Sequence, residues 1–169
     1  MFSKLSSYRL KLSKKWLYAI LVSSIALSII LLFSIAQSTT NKFRANFNTQ
    51  ARLIANAIDL GRLKKLNGNA NDLSSPNYQR IKAQLRKIRM STEEIKFLYL
   101  MGQKKNGVVF FFIDSQKPTA KDYAPPGLVY SEVSQEYLRV FKTRQEGVTG
   151  EIEDRWGKLV TALVPIIDS

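Results

Sequence analysis

The chain contains neither histidine nor cysteine. Their absence removes Ser-His-Asp and Cys-His nucleophile systems, the usual zinc sites and any disulfide framework. A cysteine-free chain fits an oxidising compartment without requiring one. No phosphate-binding loop, nucleophile motif or metal signature is present either. Paired carboxylates are the remaining route to catalysis or calcium. Asp114 and Asp122 stand eight apart across a proline loop, and Glu151, Glu153 and Asp154 cluster at a turn. Glu153 and Asp154 point apart on a strand, so solvated carboxylates are the simpler reading. The expectation is a non-enzyme with no cofactor. With 169 residues, 45% of them apolar, the chain suits one modest domain plus attachments.

Acidic residues are scarce, 13 against 26 basic ones, and the +13 charge is unevenly spread. Lys4, Arg9, Lys11, Lys14 and Lys15 precede the first apolar segment. Between Lys42 and Arg89 eleven basic residues meet only Asp59 and Asp72, a local charge of +9, whereas Met90–Ser169 sums to −1. The excess therefore falls on predicted helices. Such a face suits solvent, anionic lipid or nucleic acid.

Trp16–Ala36 is an uncharged run of 21 residues, about the length a helix needs to cross a bilayer. Trp16 and Tyr18 occupy the interfacial position, and the charge bias of five to three places the N-terminus in the cytoplasm. A cleaved signal peptide ending near Ser34-Ile35-Ala36 competes with a signal anchor, although its apolar core would be unusually long. Both readings send residues 38–169 out of the cytoplasm, which argues against a nucleic-acid partner. The predicted division is a cytoplasmic stretch 1–15, a transmembrane helix 16–36, a juxtamembrane helix 37–60 and an extracytoplasmic domain 61–169.

Residues 38–60 hold no glycine or proline and repeat Phe43, Phe47, Ala51, Ile54 and Ile58 at helical spacing. The pattern predicts one helix from Trp16 to Leu60, roughly 65–70 Å long at 1.5 Å per residue. Gly61 is its predicted stop. One stripe would pack on the chain's own domain and another on a second copy, making a homodimer. Asn67–Asp72 reads as an exposed loop, and Ser75-Pro76 as a capped helix start. Tyr78, Ile81, Leu85 and Ile88 form the buried stripe of that helix, with Arg80, Lys82, Arg86, Lys87 and Arg89 opposite.

Lys96–Met101 and Val108–Ile113 are apolar runs joined by a turn ending in Asn106-Gly107, a strong hairpin signal. The hairpin is followed by Asp114 and by a loop carrying Tyr123, Pro125, Pro126, Gly127 and Tyr130. Phe110-Phe111-Phe112 has too many apolar side chains for one face, so both faces are covered. Ser134 is placed to cap a further helix that buries Val133, Tyr137, Leu138 and Phe141, with Gly147 and Gly150 at its end. Arg155-Trp156-Gly157 reads as a tight turn. Lys158–Ile167 is predicted to be a central strand covered on both faces, with pairing stopping at Pro165. The fold class is α+β.

The segments ANAIDLGRLKKLNG (55–68), NYQRIKAQLRKIR (77–89), FLYLMG (97–102), VVFFFIDSQ (108–116), DYAPPGLVY (122–130) and DRWGKLVTALVPIID (154–168) are spread over about 110 residues. In this order, behind a membrane helix, they resemble the Cache (PDC) sensor domains of bacterial histidine kinases, diguanylate cyclases and chemoreceptors. The resemblance implies a PAS-like antiparallel sheet of about five strands backed by helices, a bacterial inner-membrane location and a cytoplasmic output module. Such domains continue into a last strand and a second membrane helix, so the chain is expected to be a C-terminally incomplete fragment.

In this family a small molecule sits between the sheet and the loop after the hairpin. Carried over, the candidate ligand-binding residues are Tyr99, Asp114, Tyr123, Tyr130, Asp154, Arg155 and Trp156. Tyr123 and Tyr130 flank a stiff Pro-Pro-Gly and offer aromatic walls with phenolic donors, or pack only on their own loop. Asp114 suits a ligand amine, or caps the following turn. Arg155 beside Trp156 suits a carboxylate, or stacks as a turn arginine. A rival of another class is an anchored assembly module that binds a protein through the basic face of helix 77–89.

Overall fold

A computed structural model describes residues 13–167. Residues 1–12, with Lys4, Arg9 and Lys11 of the predicted cytoplasmic stretch, and 168–169 lie outside the described residues. The chain divides into two compact units at Phe43/Arg44.

Helix α1, Lys14–Asn56, runs unbroken for 43 residues, as a segment free of glycine and proline allows. Its apolar part is long and apolar enough to cross a membrane, with mean hydropathy 2.6 over the best window and none of that window buried within the protein. The hydroxyls of Ser23, Ser24 and Ser28 donate to the carbonyls of Ile20, Leu21 and Ser24 at 2.9 Å. Their polar atoms are thereby satisfied inside the helix, as hydrocarbon demands.

The helix ends four residues before the predicted Leu60, and Gly61 is not its stop. Asp59 caps a separate short helix α2, Leu60–Leu63, by accepting from the Arg62 N–H. A local carboxylate cap thus opens a new turn around Gly61. A 3₁₀ turn, Ala70–Ser74, follows. Asn67–Asp72 is not simply an exposed loop: buried Asp72 accepts from the N–H groups of Asn67, Gly68 and Asn69. Gly68, at φ +68°, leaves room for rings that a Cβ would meet at 2.6–2.8 Å, those of Phe110 and Phe112.

Helix α3, Pro76–Met90, starts at Ser75-Pro76 as predicted, without a side-chain capping bond. Tyr78, Ile81 and Leu85 are buried on it. Each such side chain contributes about 1.5–3 kcal/mol by leaving water. Strands β1, Tyr99–Gln103, and β2, Val109–Asp114, form the antiparallel hairpin. The Gly107 N–H donates to the Lys104 carbonyl, and Gly107 sits at φ +86°. This is a turn closed by a left-handed glycine, one of the standard hairpin connections.

One bulge governs the hairpin. Leu100 pairs with Ile113, yet Met101 pairs with Phe111, leaving Phe112 as the extra residue. Val109 and Phe111 therefore join one core cluster, with Ala124, Tyr130 and Tyr137, whereas Ile113 joins the other, with Ile58, Leu66, Tyr78, Ile81 and Leu85. Without the extra residue Phe111 and Ile113 would share a face, by the two-residue period of a strand.

Helix α4, Gln135–Thr143, buries Tyr137 and Val140. Its C-cap is Arg144 in the left-handed conformation, at φ 57°, rather than Gly147 or Gly150. The Ser134 hydroxyl bonds the Glu136 carboxylate instead of capping the helix.

Strands β3 (Gly147–Val148), β4 (Ile152–Asp154), β5 (Gly157–Leu159) and β6 (Ala162–Leu163) complete the described chain. The fold is α+β, but its strands form three two-stranded antiparallel sheets, β1-β2, β3-β6 and β4-β5. This corrects the expected sheet of about five strands. Lys158–Ile167 is likewise not one central strand. It divides into β5 and β6, with residues 159–166 half-buried and Lys158 and Ile167 exposed. Its apolar pattern matches a covered strand, but only one edge of β6 is paired.

Candidate functional site

Five segments converge on one face of the hairpin. Tyr99 of β1 meets Phe111 of β2 edge-on at 5.1 Å between ring centroids. Phe111 meets Tyr130 at 5.6 Å and Trp156, from the β4–β5 turn, at 5.5 Å. Tyr130 stacks on Trp156 at 6.1 Å and lies 5.5 Å from Tyr137 of α4. Edge-to-face geometry sets the electropositive rim of one ring against the face of the next. The Tyr130 hydroxyl donates to Asp154 Oδ2 at 3.1 Å, and the Trp156 backbone N–H donates to Asp154 Oδ1 at 2.8 Å. Burial raises the phenol pKa of Tyr99 and of Tyr130, so both stay protonated donors at neutral pH.

The loop after the hairpin closes this chamber as a third strand-like segment on β2. The Gly127 N–H donates to the Phe111 carbonyl, the Phe111 N–H to the Leu128 carbonyl, and the Tyr130 N–H to the Val109 carbonyl, at 2.8–3.0 Å. Gly127, at φ +90°, brings the loop tip against the Gly68 carbonyl, which would lie 3.4 Å from a Cβ there.

Asp114 lies under the loop's other end. Its Oδ1 accepts from the Gln116 N–H at 2.9 Å and its Oδ2 from the Ala124 N–H at 2.8 Å. Burial raises its pKa, and the Ala124 and Gln116 N–H groups oppose that shift. The carboxylate holds the turn that follows, the alternative weighed for it from sequence. Lys82 Nζ donates to the carbonyls of Asp114 and Gln116 at 2.5 and 2.6 Å and stands 4.5 Å from the Tyr123 ring centroid. The Tyr123 and Tyr78 hydroxyls lie 3.4 Å apart.

The seven sequence candidates thus separate. Tyr99, Tyr130, Asp154 and Trp156 share the chamber, and Asp114 borders it. Tyr123 faces Lys82 and α3. Arg155 is exposed: it binds Glu132 at 2.5–2.7 Å and Ser131 at 2.9 Å, with its guanidinium 5.1 Å from the Trp156 ring. That pairing takes the Glu132 pKa down to about 2. A void of about 10 Å³ lies among Tyr99, Phe111, Asp114 and Trp156. At about the size of one water-sized probe, it marks a chamber closed on its own side chains.

Sequence reading missed Phe111 and Tyr137 as chamber walls and Lys82 as the post beneath the loop. Phe111 was hidden in a triplet whose facing depends on the bulge. Lys82 was placed on the polar face of α3, yet it is buried, 8% exposed. The adjacent Ile81 and the four-residue step from Tyr78 were the signal that could have found it. Among the described residues no group of three metal-ligating acidic side chains occurs. No family model, curated protein or solved structure matches the chain.

Proposed function

We propose that the chain is the membrane-anchored sensor part of a bacterial receptor of Cache (PDC) kind. Residues 38–169 lie outside the cytoplasm, and a small organic ligand binds by opening the chamber beneath the loop Tyr123–Tyr130. The observation that carries this reading is the convergence of Tyr99, Phe111, Tyr130, Tyr137 and Trp156, from separate segments, around the Asp154 carboxylate. Such an aromatic enclosure with a few fixed polar groups suits an organic ligand.

A path for the signal supports it. The Arg44 guanidinium on α1 donates to the Val148 carbonyl at 2.5 Å, and Arg52 pairs with Glu146. Both partners follow α4, whose Tyr137 is a chamber wall. A ligand that binds one arrangement of Tyr130 and Tyr137 better than another shifts these ties on α1, with a coupling of about 1–3 kcal/mol. The output module and a homodimer through α1 belong to the same proposal.

Thermal shift of the whole chain in detergent micelles against a metabolite panel tests it. The expected result is a reproducible hit, weakened at least tenfold in Tyr130→Phe and Trp156→Leu. No hit, together with loss of a protein partner on charge reversal at Arg86 and Lys87, would instead favour the assembly module.

A further inference from the structure

Helix α3 carries Arg80, Lys82, Arg86, Lys87 and Arg89 and no acidic residue. Lys82 turns inward to the chamber loop. Arg80 and Lys87, seven residues apart, share the outermost face and are exposed, with Ala83 between them. Arg86 flanks that row and Arg89 stands at its end, both half-buried. Among the described residues, no ion pair reaches Arg80, Arg86, Lys87 or Arg89. Arg89 Nε is buried with no hydrogen-bond partner.

The carboxylates nearby are already engaged. Asp59 pairs with Arg62, Asp72 accepts from the N–H groups of Asn67, Gly68 and Asn69, and Asp114 from those of Gln116 and Ala124. Glu93 and Glu94 lie past the helix end, exposed, and pair with none of the four cations. Like charges three and four residues apart repel on a helix. The repulsion reaches inward: burial lowers the Lys82 pKa, Asp114 opposes the shift, and Arg86 adds to it. From Arg80 to Arg89 the row is about 13–14 Å long at 1.5 Å per residue, and no described carboxylate neutralises it.

We propose that this face binds a bare phosphate chain, an extended polyanion without bases or acyl tails, along Arg80, Arg86, Lys87 and Arg89. Three of the four are arginines, whose planar guanidinium grips phosphate oxygens in a two-pronged fork. The face lacks what other anionic partners need. Single-stranded nucleic acid stacks its bases on exposed aromatic rings, and the one aromatic residue of α3, Tyr78, is buried. A lipid surface takes an apolar helix face. That of α3, with Ile81 and Leu85, is used in the core, and Met90 at the helix end is its one large exposed hydrophobic residue. A folded acidic protein docks round a dry apolar or aromatic anchor, whereas the exposed residues between 79 and 87 are Gln79, Arg80, Ala83 and Lys87. The inference does not depend on the ligand proposed above.

The test uses the whole chain in nanodiscs of neutral phosphatidylcholine, with fluorescein-labelled inorganic polyphosphate as probe and fluorescence anisotropy as readout. Arg80→Gln with Lys87→Gln is expected to weaken binding at least about tenfold and to lower the slope of log affinity against log salt by about 1.4, about 0.7 per cation. Lys105→Gln with Lys142→Gln removes the same charge from other exposed positions and is expected to change affinity by less than about twofold. Oligothymidine, polyglutamate and phosphatidylglycerol vesicles, at matched charge, are each expected to displace the probe less well than unlabelled polyphosphate. Equal losses in the two double variants would mean attraction to net charge alone and overturn the proposal. So would no binding at low salt, which would make α3 a solvated face. Displacement by oligothymidine, polyglutamate or vesicles as effective as by polyphosphate would assign the face to nucleic acid, an acidic protein or lipid, and overturn it as well.

Discussion

Replacing Lys82 by methionine isolates the post beneath the chamber loop. The substitution keeps an unbranched stem of similar length and removes the ammonium. It leaves the Asp114 and Gln116 carbonyls without their donor. Hydrogen bonds to a charged group contribute about 1.5–3 kcal/mol each, and a buried carbonyl left bare costs about 1–3 kcal/mol. Against this, burial disfavours the charged amine, which lowers the Lys82 pKa, so removing the charge recovers part of the loss. The balance is a destabilisation of about 2–3 kcal/mol. At about 3–5 °C per kcal/mol for a domain of this size, the melting point should fall by about 6–15 °C. Thermal unfolding in detergent micelles measures it, with Arg80→Met on the exposed side of α3 as a control within about 0.5 kcal/mol. Amide exchange at Ala124 should accelerate more than exchange at Leu85, because the loop is released before the core. Lys82→Met indistinguishable from Arg80→Met would refute the assignment of the lysine as a structural post.

Gly68→Ala should lower the urea midpoint by an amount equivalent to more than about 2 kcal/mol, since it combines left-handed backbone with overlap on Phe110 and Phe112. Tyr130→Phe should cost about 1 kcal/mol through the lost bond to Asp154, read from the same urea titration. Glu132 has a folded-state pKa depressed from 4.5 to about 2, so its contribution is present above about pH 4.5 and is lost as pH falls toward 2. Glu132→Gln should therefore lower stability near pH 7, flatten the acid limb between these values, and converge on the unsubstituted chain as pH approaches 2. Single cysteines along 43–58 should crosslink in membranes at helical spacing if α1 pairs with a second copy, and no crosslink at any position would remove the dimer.

Local signals were enough for several elements. An uninterrupted apolar run dictated α1, Ser-Pro dictated the start of α3, and Asn-Gly dictated the hairpin, because each depends on backbone chemistry within a few residues. The stripe Tyr78, Ile81, Leu85 was equally legible from its period. Asp154, Tyr130, Tyr99 and Trp156 were named together from sequence and do meet. Tertiary structure decided what alternation and composition leave open. A single extra residue at Phe112 reversed the facing of Ile113 and Asp114 relative to Phe111, and no composition rule reveals a bulge. Lys82 went inward because two carbonyls converge on it from a loop more than thirty residues away. The strands did not merge into one sheet, because an apolar run says that a segment seeks partners on both sides without saying that they are present.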